Sequence, residues 1–308
     1  MLMKQLTELF ELLDQPAAGG AAVCEYIQSL GPAQVSSRRI LGARGGTDAV
    51  RILIAGENGK AAGGSAPTLG IVGRLGGLGA RPERIGFVSD GEGALAALTA
   101  AAKLADMSAK GDRLPGDVIV CTHICPDAPT SPHEPVPFMG SPVNMGDLNA
   151  YEVDPAMDAI LSIDTTRGNR LVNVSGVAIT PTVRQGWILR VPEDLLTLLE
   201  YVSGTPALTI PITMQDITPY GNGVFHMNSI LQPCTATKAP VVGVAITSGA
   251  AVPGCGTGAT GGREAEVAAR FAVEAAKAFG AGKCAFYDPE EADLLLRHYG
   301  SMAHLQEK

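Results

Sequence analysis

Short apolar runs alternate with longer segments of helical periodicity along the 308 residues of the chain. The first helix is predicted where Leu2, Leu6, Phe10 and Leu13 recur every three or four positions. Further helices are predicted at residues 20–30, 93–107, 194–202, 226–231, 263–279 and 288–297. Strands are predicted at residues 50–55, 84–90, 118–121, 159–164, 207–212 and 241–246, and a hairpin is one interpretation of 172–177 and 187–191.

The order of these elements predicts an α/β protein. Strands without polar positions, placed between helices, are typical of a parallel sheet that is covered on both faces. We therefore expect three layers, with a mostly parallel mixed sheet flanked by helices. No repeat or linker interrupts the pattern, so residues 1–308 are expected to form a single domain with an N-terminal helical extension over about residues 1–40. The helices of that extension are a candidate contact in a homo-oligomer.

The composition indicates which partners and which cellular compartment are expected. The net charge is −8 and no basic cluster occurs, so binding to nucleic acid is not expected. No apolar run approaches the roughly 20 residues that span a bilayer, and the first 15 residues lack the apolar region of a signal peptide. The six cysteines are scattered without CxxC spacing and are expected to be reduced thiols. We expect a soluble, cytoplasmic protein without a membrane partner.

Polar residues follow several predicted strands, where open α/β sheets bind ligands. The candidates at strand ends are Glu57, Asp90, Glu92, His123, Asp127, Asp164 and Arg167. Candidates from loops and from one helix start are His133, Glu134, His226, Asn228 and Arg263. Each also has a structural interpretation. Asp90 could cap the helix that follows it, and His123 could be a buried histidine with satisfied hydrogen bonds.

Two of these segments carry a resemblance to a known class of enzymes. Residues 88–98, followed by an alanine-rich helix, resemble the co-catalytic zinc aminopeptidases and carboxypeptidases, in which a strand delivers a bridging Asp before such a helix. Residues 160–164 resemble the later strand that delivers a second metal-binding Asp in that clan. The resemblance implies a zinc-peptidase-like (phosphorylase/hydrolase-like) fold and a metal site that includes Asp90 and Asp164.

The chain departs from that clan at its other motifs. Glu57 and Asn58 stand where the clan has His-x-Asp, and Thr122 and His123 stand where it has a pair of glutamates. The last metal-binding His is absent from residues 258–264. Over nearly its whole length the chain also resembles an uncharacterised family, domain of unknown function 1177, which implies no established activity.

We therefore predict a metal-dependent hydrolase that acts on a short peptide or a small amide of the N-acyl amino acid type. The predicted ligands of the divalent metal, Zn or Mn, are Asp90, His123 and Asp164, since a catalytic site needs three protein ligands and an open position. Glu134 is the predicted general base and Glu92 the alternative. The predicted substrate-binding residues are Glu57, Asp127, His133, Arg167, His226, Asn228 and Arg263.

Two other functions stay open from the sequence. Glycine-rich turns at residues 56–79 and 254–262 suit a protein that binds a small molecule or peptide on a degenerate peptidase fold without cleaving it. Alternatively, Cys121 and Cys255 could form a two-cysteine site for racemisation without a cofactor.

Overall fold

The computed structural model describes residues 2–74, 76–78, 87–132, 138–166, 168, 170–249 and 261–306. The helices are α1 (Met3–Leu13), α2 (Gly20–Leu30), α3 (Glu92–Ala109), α4 (Met145–Glu152), α5 (Glu193–Ser203), α6 (Gly262–Gly280) and α7 (Pro289–Tyr299). The strands are β1 (Gln34–Gly42), β2 (Gly45–Ile54), β3 (Leu69–Gly73), β4 (Val118–Ile124), β5 (Thr130–Ser131), β6 (Phe138–Met139), β7 (Ala159–Thr166), β8 (Gly176–Ile179), β9 (Val183–Arg184), β10 (Trp187–Ile188), β11 (Leu208–Thr209) and β12 (Val241–Thr247). None of the helices in these ranges has the length and apolarity to cross a membrane.

Ten of the described strands form one mixed sheet, in the order β1-β2-β4-β3-β7-β12-β8-β11, with the β9–β10 hairpin attached to β12. The four central strands β4, β3, β7 and β12 are parallel to one another. The flanking pairs β1–β2, β2–β4 and β8–β12 are antiparallel. Strands β5 and β6 pair separately. The prediction of a mostly parallel mixed sheet flanked by helices is confirmed.

The core lies on both faces of the central strands, which explains why their sequences lack polar alternation. One face is covered by α1, α2, α3, α5 and α6, whose buried residues join the side chains of Ile71, Val120 and Leu161 in one cluster. The opposite face carries a second cluster, in which Val72 and Cys121 meet the short 3-10 segment Ser229–Ala236. The sheet is therefore the middle of three layers.

The strand predicted over residues 84–90 lies only partly within the described residues. Residues 84–86 are outside them, residues 87 and 88 are not in a strand, and Ser89–Gly91 form a 3-10 turn. A strand that the sequence did not predict, β3, lies inside the stretch interpreted as glycine-rich turns. Its glycines are needed for close packing, because a Cβ on Gly70 would lie 2.3 Å from the sulfur of Met157.

The N-terminal segment also differs from the expected helical extension. Helices α1 and α2 are confirmed and pack against α3, but the helical part ends at Leu30 and is followed by β1. Eight of the nine β1 positions are exposed or half-buried, with Ile40 the buried one. The segment therefore has no apolar face from which a strand could be predicted.

Candidate active site

The candidate site lies at the carboxyl ends of β3, β4 and β7. In the register of the sheet, Gly73 at the end of β3 pairs with Thr122 of β4 on one side and with Ile163 of β7 on the other. The next residue, Arg74, donates its backbone N–H to the Ile163 carbonyl at 2.7 Å. Side chains from three neighbouring strands therefore meet at one edge of the sheet, as the sequence predicted for this type of fold.

Two aspartates lie at this edge, because the Thr165 hydroxyl of β7 donates to the Ser89 carbonyl at 2.9 Å and so holds the turn that carries Asp90 against the end of β7. Asp164 lies on β7 with only 1% of its surface exposed, and Asp90 lies in the turn before α3. The carboxylate of Asp164 accepts hydrogen bonds from the Thr165 N–H at 2.7 Å and from the Ser229 hydroxyl at 2.6 Å. Burial, together with the charge of Asp90, raises the pKa of Asp164 to about 7, although these hydrogen bonds lower it. A metal site shared by the two aspartates stays a prediction.

A buried chain of charged and polar groups lies behind the pair. The Arg74 guanidinium is fully buried, and its Nη1 lies 3.1 Å from Oε2 of Glu152 on α4. The other carboxylate oxygen of Glu152, Oε1, lies 2.5 Å from Nδ1 of His123. Arg74 also donates from Nη2 to the side-chain oxygen of Asn149. The positive charge of Arg74 is thus neutralised inside the protein, as a buried ion pair requires.

His123 is held in one tautomer and one orientation. Its Nε2 accepts a hydrogen bond from the Gly76 N–H at 3.0 Å, so the ring proton is on Nδ1, which faces Glu152. Both ring nitrogens are therefore occupied in the described structure. This arrangement corresponds to the structural interpretation of His123 and leaves no nitrogen for the predicted metal ligation.

Glu92 is the first residue of α3, as expected, but it is fully buried. One carboxylate oxygen accepts the Gly261 N–H ahead of α6, and the other lies 3.4 Å from the Thr165 hydroxyl. The side chain therefore joins the start of α6 to the end of β7. These bonds give Glu92 a structural role that the sequence did not indicate.

An amide-lined cavity of about 270 Å³ opens beside the buried chain. Its walls include Asn144, Met145, Asn149, Tyr220, Gln232 and Thr235. Tyr220 connects the cavity to the aspartates, because its hydroxyl interacts with Ser229, the hydrogen-bond partner of Asp164. Burial and the charges of Asp164 and Asp216 raise the pKa of Tyr220, so this hydroxyl stays protonated at neutral pH.

Two predicted substrate-binding residues lie away from these groups or on the surface. Glu57 is exposed at the opposite edge of the sheet, because β2 runs antiparallel to β4 and Ile54 pairs with Val118 at the start of β4. Asp127 is exposed in the turn after β4. The predicted position of Glu57 had assumed that its strand was parallel to the others.

The remaining predicted residues lie in a loop near the site, at the start of a helix, or outside the described residues. His226 stacks on Tyr220 with 4.3 Å between ring centroids, and Asn228 directly precedes Ser229. Arg263 is exposed in the first turn of α6. The predicted residues His133, Glu134 and Arg167 lie outside the described residues.

Several site residues were missed by sequence reasoning. They are Arg74, Asn149, Glu152, Tyr220, Ser229 and Gln232. Arg74 directly follows a strand and would have been a candidate if β3 had been recognised. The others lie on α4 and on loop segments that no apolar pattern places near the sheet.

The thiols of the described residues do not form a reactive site. Cys121 is fully buried in the apolar cluster on the second face of the sheet, and this burial raises its pKa. Cys125 is also buried, and its pKa is raised to about 11. Cys255, the second cysteine of the racemase hypothesis, lies outside the described residues. A protonated thiol within a core is a poor base, so Cys121 does not support that hypothesis.

The site and fold can be compared with known proteins. A mutant of tomato leucine aminopeptidase superposes with a TM-score of 0.50 and 13% identity, over 88% of this chain and 61% of the aminopeptidase. The bottromycin maturation enzyme BotP, in complex with Mn, superposes with a TM-score of 0.55 and 14% identity, over 89% of this chain and 70% of BotP. The chain thus spans about three fifths of the aminopeptidase. At such identities the likeness concerns the fold.

Sequence comparison is more specific about the family. A search of the curated proteins finds no match. The model of the family described as "Protein of unknown function (DUF1177)" matches residues 38–308, which is most of the chain. The chain therefore belongs to the DUF1177 family.

Proposed function

We propose that the chain is a metal-dependent hydrolase of short peptides or small amides, with its centre at Asp90 and Asp164. The observation that carries the proposal is the buried Asp164, whose pKa is raised to about 7 beside a second carboxyl group. The negative charge of the half-buried Asp90 disfavours ionisation of the buried Asp164, and a bound cation would offset that repulsion. The fold shared with a leucine aminopeptidase and with an Mn-bound maturation enzyme supports the same function.

The donor atoms present suit a hard cation better than zinc. Asp90 and Asp164 provide carboxylate oxygens, whereas the ring nitrogens of His123 are occupied. Within the described ranges, no three His, Cys, Asp or Glu side chains are grouped so that they could hold a metal. Mn²⁺ and Mg²⁺ can bind through one or two carboxylates and retain water molecules, so the pair fits such an ion.

The protein groups around the pair would orient it and the substrate. The Ser229 hydroxyl and the Thr165 N–H fix both oxygens of Asp164, and the Tyr220 hydroxyl bonds to Ser229 and so helps to hold Ser229 in place. A bound divalent metal would supply a Lewis acid for the carbonyl and an activated water. Glu134 remains the proposed general base that removes a proton from the attacking water.

Metal content and hydrolysis, measured on matched variants, test this proposal. Wild-type protein purified without chelator should carry one or two equivalents of Mn or Mg and cleave members of a panel of dipeptides and N-acyl amino acids. Asp164→Asn should lose the metal and at least about 100-fold in turnover. Asp112→Asn is the matched control, because Asp112 is exposed and lies beyond the opposite end of α3 from Asp90. Metal-free wild type that cleaves nothing after loading with either metal would contradict the proposal.

A second candidate is binding without cleavage, which the lack of a three-ligand group in the described part of the chain favours. In that case a small peptide or amino-acid derivative would bind at the same edge of the sheet and be released without cleavage. Binding of such ligands by calorimetry, with no turnover on any metal, would identify this function.

A further inference from the structure

The amide-lined cavity next to Tyr220 has the size of a single small substituent. Its volume of about 270 Å³ equals the space of roughly nine water molecules in the liquid, at about 30 Å³ each. Met145 and Pro219 provide apolar wall, and Asn149, Gln232 and Thr235 provide polar wall. The cavity can therefore hold one amino-acid side chain but not a folded peptide segment.

Gln232 supplies an unused hydrogen-bond acceptor in this wall. The residue is 1% exposed, and its Nε2 donates to the Thr218 carbonyl at 3.0 Å, which assigns the orientation of the amide. Its backbone carbonyl accepts from Asn149 at 3.1 Å and from Thr235 at 2.8 Å. No hydrogen bond within the described residues reaches its side-chain oxygen, Oε1. This oxygen is an acceptor in the cavity wall that no protein donor uses, so it is available to a ligand donor.

Donors for the same ligand lie in the same wall. The side-chain oxygen of Asn144 accepts the Asp147 N–H at 2.8 Å, which leaves the amide protons of Asn144 for other partners. The Tyr220 hydroxyl faces the cavity from the side of Ser229. The cavity thus offers both an acceptor and donors within a small space.

The electrostatics of the cavity exclude a charged ligand. Among the described residues, the side chains that line it carry no formal charge. The nearest buried cation is Arg74, which contacts the cavity residues Asn149 and Met145 from behind and is already paired with Glu152. An ionised group placed here would lose its hydration without gaining an opposite charge.

We propose that this cavity binds a primary carboxamide, the side-chain chemistry of glutamine or asparagine. The amide N–H of the ligand would donate to Oε1 of Gln232, and its carbonyl would accept from the side-chain amide of Asn144. The inference rests on the proposed function in one respect, because Tyr220 connects the cavity to the aspartates and makes it a specificity subsite of that hydrolase. The carboxamide preference itself requires neither metal nor turnover.

Calorimetric binding to the full chain in the presence of a chelator tests the preference. The probes are L-glutamine, L-asparagine, L-glutamate and L-methionine, which share one backbone and differ in the side chain. We expect one of the two amides to bind at least about tenfold more tightly than glutamate and methionine, since a site that hydrogen-bonds a group rejects analogues without it. Equal binding of glutamine, glutamate and methionine, or no binding of either amide, would overturn the inference.

A variant and a matched control test whether Gln232 is responsible for the amide preference. Gln232→Met removes the acceptor and should weaken binding of the preferred amide by about tenfold or more, without weakening methionine binding. Gln215→Met makes the same change at an exposed position and should leave binding unchanged. If Gln232→Met fails to fold, Asn144→Asp provides the second variant, because it keeps the acceptor for the Asp147 N–H and removes the amide donor. The ligand preference of the wild type still decides the question. Hydrolysis without an amide preference would refute the inference alone, whereas amide binding without hydrolysis would refute only the proposed function.

Discussion

Asp164 is a residue whose ionisation the fold disfavours, so its replacement should change how stability depends on pH. Its pKa of about 7 in the folded protein lies above the value of roughly 3.9 for an unfolded chain. The folded state therefore keeps a proton that the unfolded state releases, and the free energy of unfolding falls as the pH rises from about 4 to about 7. Above pH 7 this loss is complete and amounts to at most about 4 kcal/mol.

Asp164→Asn is expected to remove that loss. Urea unfolding of metal-free protein at pH 5 and pH 8 should show wild type losing stability relative to Asp164→Asn at the higher pH. Asp112→Asn, at an exposed position, should follow the wild-type dependence. Parallel curves for wild type and Asp164→Asn would show that the carboxyl titrates normally.

The roles of Glu134 and Glu92, the two residues predicted as general base, can be distinguished by different measurements. Glu134→Gln is expected to reduce turnover by at least about 100-fold with metal retained, because the proton acceptor is lost. Glu92→Gln is expected to cost about 1–3 kcal/mol of stability, because an amide cannot accept as the carboxylate does from both Gly261 and Thr165. Full activity of Glu134→Gln, measured on the best substrate of the panel, would remove Glu134 from the mechanism.

For individual residues, the sequence indicates Asp90 and Asp164 as candidates but not the residues that surround them. Both were chosen because each ends or follows an apolar stretch near a helix or turn. Ser229 and Tyr220 stand in loops, where only the folded path of the chain brings them to the aspartates. His123 was predicted at the right edge of the sheet, but the hydrogen bonds of its ring depend on Glu152 and Gly76, which are distant in sequence.

At the scale of the elements, Gly76 after β3 is held closely against β4. Gly76 donates to His123, and its carbonyl accepts the Cys125 N–H at 2.9 Å. A Cβ on Gly76 would lie 1.4 Å from the His123 carbonyl oxygen, which is part of β4 and cannot move away. The segment can follow β4 this closely only because residue 76 has no side chain.

Gly76→Ala is therefore expected to cost about 2–4 kcal/mol, because either this connection or the end of β4 must shift. Chemical denaturation measures the loss. Gly262→Ala is the control, since the nearest atom to its Cβ is 3.9 Å away and alanine favours the helix by up to about 1 kcal/mol. A Gly76→Ala protein as stable as wild type would mean that the segment is not held against β4.

The elements themselves were predicted well wherever one apolar pattern was enough. Helix α2 was predicted with its observed bounds, and α3, α6 and β12 within a residue or two. Strand β3 was missed because its glycines imitate a loop, and β1 because its exposed face has no alternation. The antiparallel direction of β2 could not be predicted, since strand direction depends on pairing partners and not on the sequence of the strand.

For the whole molecule, we expect a single cooperative unfolding transition. Helices α1 and α2 share one apolar cluster with α3, α5, α6 and the central strands, so the N-terminal segment has no separate core. The fluorescence of Trp187, the only tryptophan, reports on the β9–β10 hairpin, whereas far-UV circular dichroism reports on all helices. Coincident midpoints support a single domain over residues 1–308, and two separated midpoints would contradict it.

The two ends of the sheet bear on how copies of this chain meet in a concentrated solution. An open strand edge offers unpaired N–H and C=O groups to which a strand of another chain can bind, and repeated pairing of this kind leads to aggregation. One outermost strand, β11, has two residues, and the other, β1, carries Arg38 and Arg39 in its middle. The short strand at one end and the exposed arginines at the other oppose edge-to-edge growth. Pairing between the sheets of two copies is therefore disfavoured at both ends of the sheet.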